Sequence, residues 1–400
     1  MSEAVELWNY ASMDDLVGNA DVFPVLGRRL YFNHAGIAPM PRPVGEAVRE
    51  FLCQFENDAF LGFDFDAPVQ TLRKQFAAWI GAGEDEIALL HNTSEAVSAI
   101  ALGIDWQPGD RVILSDSEYP ANQYPWMAVR DRFGVELVIV REETDDGGRV
   151  CVPDARLLEE IAHPNTRLLA LSHVQWGTGQ GHDLEKFGKA CREHDVLFSV
   201  DAIQSLGVMP IDVEAAQIDF LQAGGHKWML GTMGAACLYV RRSRLQQMRL
   251  STVGWNSVTN PMQWEDINFT LQPDARRFEY GSPAVASIIA VGTGMTLLNR
   301  LGSNAIAARV QQLGRQFING IEQLGCAVVS PHNDDNRGGA VCFLPPDRSA
   351  ESAKSLYQEL SKNQSCELAS RCGRVRFSPH FYNTNEQVDR CVELIGNAIA

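Results

Sequence analysis

The sequence has no CxxC pair and no regular cysteine spacing, although it carries nine cysteines in 400 residues. That argues against a disulfide framework or a structural zinc site and points to a reducing compartment, the cytoplasm. Positive charge is in deficit: 34 Lys and Arg against 50 Asp and Glu leave a formal net charge of -16. A polyanion needs clustered cations, so nucleic acid is not the expected partner, whereas a small anion in a local pocket is compatible. No apolar run reaches the roughly 18 to 20 residues of a membrane span. The opening residues, Met1-Ser2-Glu3-Ala4-Val5-Glu6, lack the basic and apolar regions of a signal peptide, so no membrane contact is expected. Internal repeats and low-complexity tracts are also missing. What is present, 45% hydrophobic and 21% charged residues, is the composition of a globular chain with a full core and more than one domain.

Between residues 86 and 240 short apolar runs alternate with helical patterns, at 87–90, 112–114, 135–140, 167–172, 196–201, 218–222 and 236–240. Alternating strands and helices predict an α/β layer architecture with a mostly parallel sheet of seven strands. Ligands of such sheets bind beyond the carboxyl ends of the strands. Polar residues collect there: His91 and Asn92, Asp116, His173, Asp201, and His226 with Lys227. From about residue 283 the pattern changes to a long helical stretch to 320. Short strands follow at 327–330, 340–344, 367–369 and 374–377, with helices at 350–360 and 386–399, which predicts a smaller α+β domain. The first thirty residues read as helical and irregular.

Asp201 and Lys227 close two successive predicted strands. An amine and a carboxylate at one sheet edge suit pyridoxal 5'-phosphate, which needs a lysine for its Schiff base and an acid to keep its pyridine nitrogen protonated. A surface lysine and a turn aspartate are the competing reading. After the run 87–90, Asn92 can cap a helix and Glu95 can complete a capping box. The helix start offers free N–H groups and a positive dipole end to a phosphate, with the Thr93 and Ser94 hydroxyls as further donors. Tyr119, in the segment after 112–114, can stack on a flat cofactor or cap the core. Gly177-Thr178-Gly179-Gln180-Gly181 lacks the GxGxxG spacing, so a nicotinamide dinucleotide is not expected.

These segments together resemble the class V aminotransferase family, fold type I pyridoxal-phosphate enzymes that include cysteine desulfurases, isopenicillin N epimerase-like proteins and kynureninases. The resemblance runs from Tyr31-Phe32-Asn33-His34-Ala35-Gly36 to Arg376-Phe377-Ser378-Pro379-His380-Phe381-Tyr382-Asn383-Thr384. It implies the PLP-dependent transferase fold of type I, with a large domain over 31–282 and a small one made of 1–30 and 283–400. It also implies that Lys227 carries the Schiff base, that Asp201 pairs with the pyridine nitrogen and that Gln204 donates to the ring hydroxyl. His226, Thr93 and Ser94 would hold the phosphate and Tyr119 would stack on the ring. Family members are usually homodimers with active sites at the interface, which nominates Ser282 for the neighbouring subunit's phosphate. Arg376 matches the arginine that binds the substrate α-carboxylate, a contact its planar fork suits. Arg374, two residues away and on the same strand face, is a second candidate. His34 is a candidate acid or base on the substrate side, or a packed turn histidine. The chain departs from the desulfurase pattern at Gly224, where desulfurases carry serine, at Tyr119 in place of histidine, and at Trp176 near a frequent asparagine.

The expected reaction is therefore pyridoxal-phosphate chemistry at the amino group or Cα of an amino acid, by transamination or epimerisation. The alternatives are a cysteine desulfurase or a C–S lyase. A desulfurase needs a nucleophilic thiol, for which Cys366 and Cys372 are the candidates, the basic surroundings of Cys372 favouring a thiolate, while buried or incidental cysteines are the competing and commoner reading. From another class comes a pyridoxal-phosphate-binding regulatory protein without turnover.

Overall fold

The computed structural model describes residues 12–400. Its centre is one seven-stranded sheet: β1 (Ile87–Leu90), β2 (Arg111–Ser115), β3 (Glu136–Val140), β4 (Thr166–Ser172), β5 (Leu197–Asp201), β6 (Phe220–Gly224) and β7 (Ala236–Val240). The spatial order is β1-β7-β6-β5-β4-β2-β3. Only β7 runs against its neighbours, pairing antiparallel with both β1 and β6. Every residue of β1, β2, β5, β6 and β7 is buried, whereas the edge strand β3 is partly exposed. Burial on both faces is why these strands read as continuous apolar runs.

Successive side chains of one strand enter different cores, as strand geometry requires. Ala88, Leu90, Leu114, Ala170 and Leu238 pack with Ala96, Val97 and Ile100 of helix Thr93–Gly103 and with Trp126 of helix Tyr124–Phe133. Ile87, Leu89, Ile113, Leu171 and Ala223 enter the core on the other face, with Phe187 of helix Leu184–Glu193 and Leu72 and Phe76 of helix Asp66–Ile80.

The second unit is an antiparallel sheet of β8 (Ala327–Val328), β9 (Val341–Leu344), β10 (Ala369–Arg371) and β11 (Arg374–Phe377), in the order β8-β9-β11-β10. Helices Ser303–Gln323, Ala350–Asn363 and Asn385–Ile399 supply its apolar cover. Phe317 and Phe377 stack at its centre with ring centroids 3.8 Å apart. Leu30–Tyr31 pairs in parallel with Cys366–Glu367, so the chain entering the large unit is stitched to the small one.

Two sequence expectations change. The helical stretch from 283 is two helices, Val285–Leu301 and Ser303–Gln323, bent by 88° at Gly302, whose φ of 82° is a backbone conformation that favours glycine. The first helix, expected in the small domain, sends Ile288, Val291, Met295 and Leu298 into the large core, because its apolar face meets the helices at 42–58 and 66–80. Of the first thirty residues, 1–11 lie outside the described residues. Residues 12–30 hold turns and the 3-10 turn Pro24–Gly27, with no α-helix. No single helix among the described residues is long and apolar enough to cross a membrane.

One buried ion pair fixes the loop that precedes Ser282. Arg73 meets Glu279 through both terminal nitrogens, at 2.6 and 3.1 Å, and Glu279 also accepts the Leu89 N–H of β1 at 2.8 Å. Removing one partner of such a pair strands the other charge in the core. Glu279→Ala is therefore expected to lower the unfolding free energy by about 3–5 kcal/mol. The double replacement Arg73→Met, Glu279→Leu should lose clearly less, as urea denaturation would report.

Candidate active site

The carboxyl ends of β1, β2, β4, β5 and β6 deliver one cluster. At the end of β5, Asp201 is 1% exposed, and its Oδ1 accepts the Ile203 N–H at 2.9 Å. Just beyond β6, Lys227 is 8% exposed. Its Nζ sits 5.7 Å from the centre of the Tyr119 ring, which arrives from the segment after β2. Trp176, after β4, meets Tyr119 edge to face at 5.2 Å. The strand ends thus bring Asp201, Lys227 and Tyr119 around one slot.

Burial sets the charge states here, because desolvation disfavours the ionised form. Burial pushes the Lys227 amine down to about 8; the positive charges of Arg376 and Arg371 add to this and Asp201 opposes it. Burial pushes the Asp201 carboxyl up to about 7; the Ile203 hydrogen bond and Lys227 oppose, and the nearby Glu118 charge reinforces. The His226 ring is lowered to about 4 by burial and by Lys227, and is neutral at physiological pH.

The phosphate end forms around Gly224. A Cβ added there would lie 3.2 Å from both Thr93 Oγ1 and His226 Nδ1, so these two groups converge over a backbone without a side chain. Thr93 Oγ1 is buried and has no hydrogen-bond partner. Asn92 caps the helix by accepting the Glu95 N–H at 2.9 Å, as the sequence indicated. The expected box is shifted by one residue, since Glu95 takes the His91 N–H at 2.8 Å. The Thr93 and Ser94 N–H groups, in the first helical turn, have no intrahelical acceptor, and Ser94 is exposed. An orphaned hydroxyl, a neutral imidazole and free N–H groups around a glycine fit a phosphate. Asp201 and Lys227 fit a pyridine nitrogen and an aldehyde.

Gln204 is tied at both ends: its Nε2 donates to Ala35 O at 3.0 Å and its Oε1 accepts Trp228 Nε1–H at 3.1 Å. One amide N–H remains for another acceptor. Ser282 is exposed, in a cleft with His91, Tyr280, Trp255 and Asn256, apart from the Lys227 slot of its own chain.

Arg376 and Arg374 share a face of β11 but differ in state. Arg374 is paired with Glu142 at 3.0 Å and also donates to Gly177 O. Arg376, 1% exposed, donates from Nη1 to Trp176 O at 2.8 Å, and its buried Nε has no partner. Burial lowers it to about 10. A buried guanidinium without a carboxylate is costly unless an anion arrives, which favours Arg376 over Arg374 as the substrate clamp.

Three expectations are corrected. His34 does not face a substrate: it is fully buried, with Nδ1 on Ser378 O at 3.0 Å and Nε2 on Tyr382 Oη at 2.6 Å. It packs the chain entry against the small domain. Cys366 is fully buried, with its Sγ 3.6 Å from Cys391 Sγ in the small-domain core, and is no mobile nucleophile. Cys372 is exposed at the β10–β11 turn, where its Sγ would lie 3.2 Å from a Cβ on Gly177. Desolvation raises its thiol pKa despite Arg374, Arg376 and Arg371, so the basic surroundings do not produce a ready thiolate. Sequence reading also passed over Glu118 and Gln175, whose mutual hydrogen bond of 2.8 Å lies under the slot. Their only signal was their place at strand ends.

A family model described as Aminotransferase class-V matches residues 30–391. A probable cysteine desulfurase of Pyrococcus abyssi (strain GE5 / Orsay) is 28% identical over 385 residues, covering 92% of this chain and 93% of that one. The apo cysteine desulfurase from Thermococcus onnurineus NA1 superposes with a TM-score of 0.84 at 24% identity, covering 98% of this chain and 99% of the other. The cystine C–S lyase C-DES, in complex with its product cysteine persulfide, gives a TM-score of 0.84 at 23% identity over 94% of this chain and 99% of that one.

In cofactor-free protein, modification of Lys227 by an amine reagent, followed by peptide mapping, should rise with pH through a midpoint near 8. A lowered amine pKa means that the neutral, reactive form appears at lower pH than in an ordinary lysine. Arg376→Gln removes a positive charge and should move the midpoint upward.

Proposed function

Because the chain belongs to the class-V aminotransferase family and is a pyridoxal-5'-phosphate-dependent enzyme, we propose that it cleaves the carbon–sulfur bond of cysteine or a cysteine-derived amino acid. The observation that carries this reading is that one hairpin, β10–β11, bears both Arg376 and, at its turn, the exposed thiol of Cys372. The other exposed cysteine among the described residues, Cys53, lies on the helix Arg42–Asp58. The desulfurase names of relatives favour sulfur removal over the transamination or epimerisation expected from the sequence.

The coenzyme supplies an aldehyde that condenses with amines and a protonated ring that draws electrons from Cα. Thr93, Ser94 and His226 would hold its phosphate, Asp201 its ring nitrogen, Gln204 its ring hydroxyl through the remaining N–H, and Tyr119 its face. Arg376 binds the substrate α-carboxylate and so fixes Cα beside Lys227. Lys227 Nζ, neutral above about pH 8, takes the Cα proton and later returns one. Cys372, once deprotonated, attacks the substrate sulfur. An S–S bond forms, the C–S bond breaks, and its electron pair stays on carbon, which is protonated to give alanine. Sulfur is oxidised as Cβ is reduced, and no outside oxidant is needed.

The tight Cys372–Gly373 turn, with φ of 49° and 72°, and the raised thiol favour a second route. Sulfide leaves by elimination and water converts the remainder to a 2-oxo acid and ammonia, with no protein thiol involved. The site is completed by a second copy of the chain. Ser282 is exposed, and the strap before it presents Trp255, Met262, Trp264, Ile267 and Phe269 to solvent. All nine cysteines are free, which supports a cytoplasmic setting.

Holoprotein incubated with L-cysteine should yield alanine and a persulfide mapped to Cys372, both lost in Cys372→Ala. The elimination route instead gives pyruvate and sulfide that survive that change. Oxo-acid-dependent amino transfer, or deuterium uptake at Cα without sulfur loss, would return the assignment to transamination or epimerisation. Arg376→Ala should lower kcat/KM by about a hundredfold, since a charged hydrogen-bonded pair contributes roughly 1.5–3 kcal/mol.

A further inference from the structure

Glu118 precedes Tyr119 and is 1% exposed. Its carboxylate accepts five hydrogen bonds. Oε1 receives them from Ser115 Oγ (3.3 Å), Ser172 N (3.0 Å) and Gln175 Nε2 (2.8 Å), and Oε2 from Asn122 Nδ2 (2.8 Å) and Ser172 Oγ. The Ser172 N–H can only donate, and the Asn122 amide is held with its NH2 toward Glu118 because its Oδ1 accepts Trp126 Nε1–H at 3.1 Å, so this shell suits an anion. Among the described residues no Lys, Arg or His forms an ion pair with it. A buried carboxylate without a counter-charge is an expensive way to join two loops, which directs attention to what the charge does.

The donors come from both walls of the slot. Ser115 and Asn122 flank Glu118 on the segment that carries Tyr119. Ser172 and Gln175 lie on the segment that carries Trp176, whose carbonyl anchors Arg376. The Glu118 carboxylate therefore fixes the spacing between the Tyr119 ring and the opposite wall. The charged groups acting on Asp201 are Glu118, from the segment after β2, and Lys227, from beyond β6. His173, at the end of β4, donates its backbone N–H to Asp201 O, and burial lowers its ring to about 3, so that it is neutral. Gln222, paired with Asp201 across β5 and β6, is uncharged.

We propose that Glu118 is a positioning residue for the coenzyme, whose buried anion clamps the Tyr119 segment to the Gln175–Trp176 segment and adds negative potential beside Asp201. That potential favours a protonated pyridine over the carboxylate and tightens coenzyme binding. The inference rests on the coenzyme reading and is independent of which bond the enzyme cleaves.

The test compares Glu118→Gln, Glu118→Asp and Gln175→Ala by coenzyme affinity and by the pH midpoint of the visible absorption band of the bound coenzyme. Neither readout requires turnover, so a failure of carbon–sulfur cleavage leaves both decisive. Glu118→Gln removes the charge and should weaken coenzyme binding about tenfold, equivalent to roughly 1.4 kcal/mol. It should also lower the absorption midpoint by about one pH unit, a change that looser packing alone does not produce. Glu118→Asp keeps the charge and should restore the midpoint. Gln175→Ala keeps the charge but loses the clamp, and should weaken binding severalfold with the midpoint unmoved. Wild-type affinity and midpoint in Glu118→Gln would overturn the proposal. If that variant does not fold, wild-type affinity in Gln175→Ala overturns it and weakened affinity supports it.

Discussion

Two ionisable groups of opposite sign, Asp201 and Lys227, are buried at the ends of neighbouring strands, and among the described residues neither forms a salt bridge. Everything else at the site follows from this arrangement. Burial desolvates both charges, so the amine falls to about 8 and the carboxyl rises to about 7, each held near the point where it gives up its charge. Such a pair is poorly compensated within the protein alone. A flat heterocycle that places a protonated nitrogen on one group and an electrophilic carbon on the other resolves both costs, and the family to which the chain belongs uses one.

The same logic of unmatched charge extends across the cleft. The small-domain hairpin contributes Arg376, buried with an unpartnered Nε, while its neighbour Arg374 is neutralised by Glu142. Two arginines on one strand face thereby divide their work. One ties the hairpin to the large domain through Gly177 O and Glu142, and the other keeps its charge available for a carboxylate. Cys372 lies at the turn of this same hairpin, so the reach of its thiol is tied to the position of Arg376, and that reach is what separates the two proposed routes of sulfur removal.

Much of the large domain was legible in the sequence because its strands are covered on both faces. The resulting apolar runs lie within two residues of the observed strands, and polar residues just past the ends of the parallel runs mark the ligand edge. Asp201, Lys227 and Thr93 were visible for that reason. His34 was not, since its partners Ser378 and Tyr382 lie 344 and 348 residues away and the local Asn-His-Ala-Gly segment resembles any turn. Cys366 misled similarly: a strand position gives no sign of which face is buried, and here Cys391 of the last helix covers it. The helix Val285–Leu301 looked like part of the second domain because sequence continuity hides that its apolar face meets helices more than two hundred residues earlier. Glu118 carried no signal beyond its place after a strand end, since a glutamate among polar loop residues shows nothing of the five donors that fold around it.

The central claim concerns one nitrogen, and it is tested by reducing the holoprotein with borohydride, digesting it and locating the coenzyme-bearing peptide by mass. The account predicts a single phosphopyridoxyl group on the ε-amine of Lys227, with the label absent from Lys227→Ala. A label on another lysine, or holoprotein whose coenzyme is fully released after reduction, would contradict it.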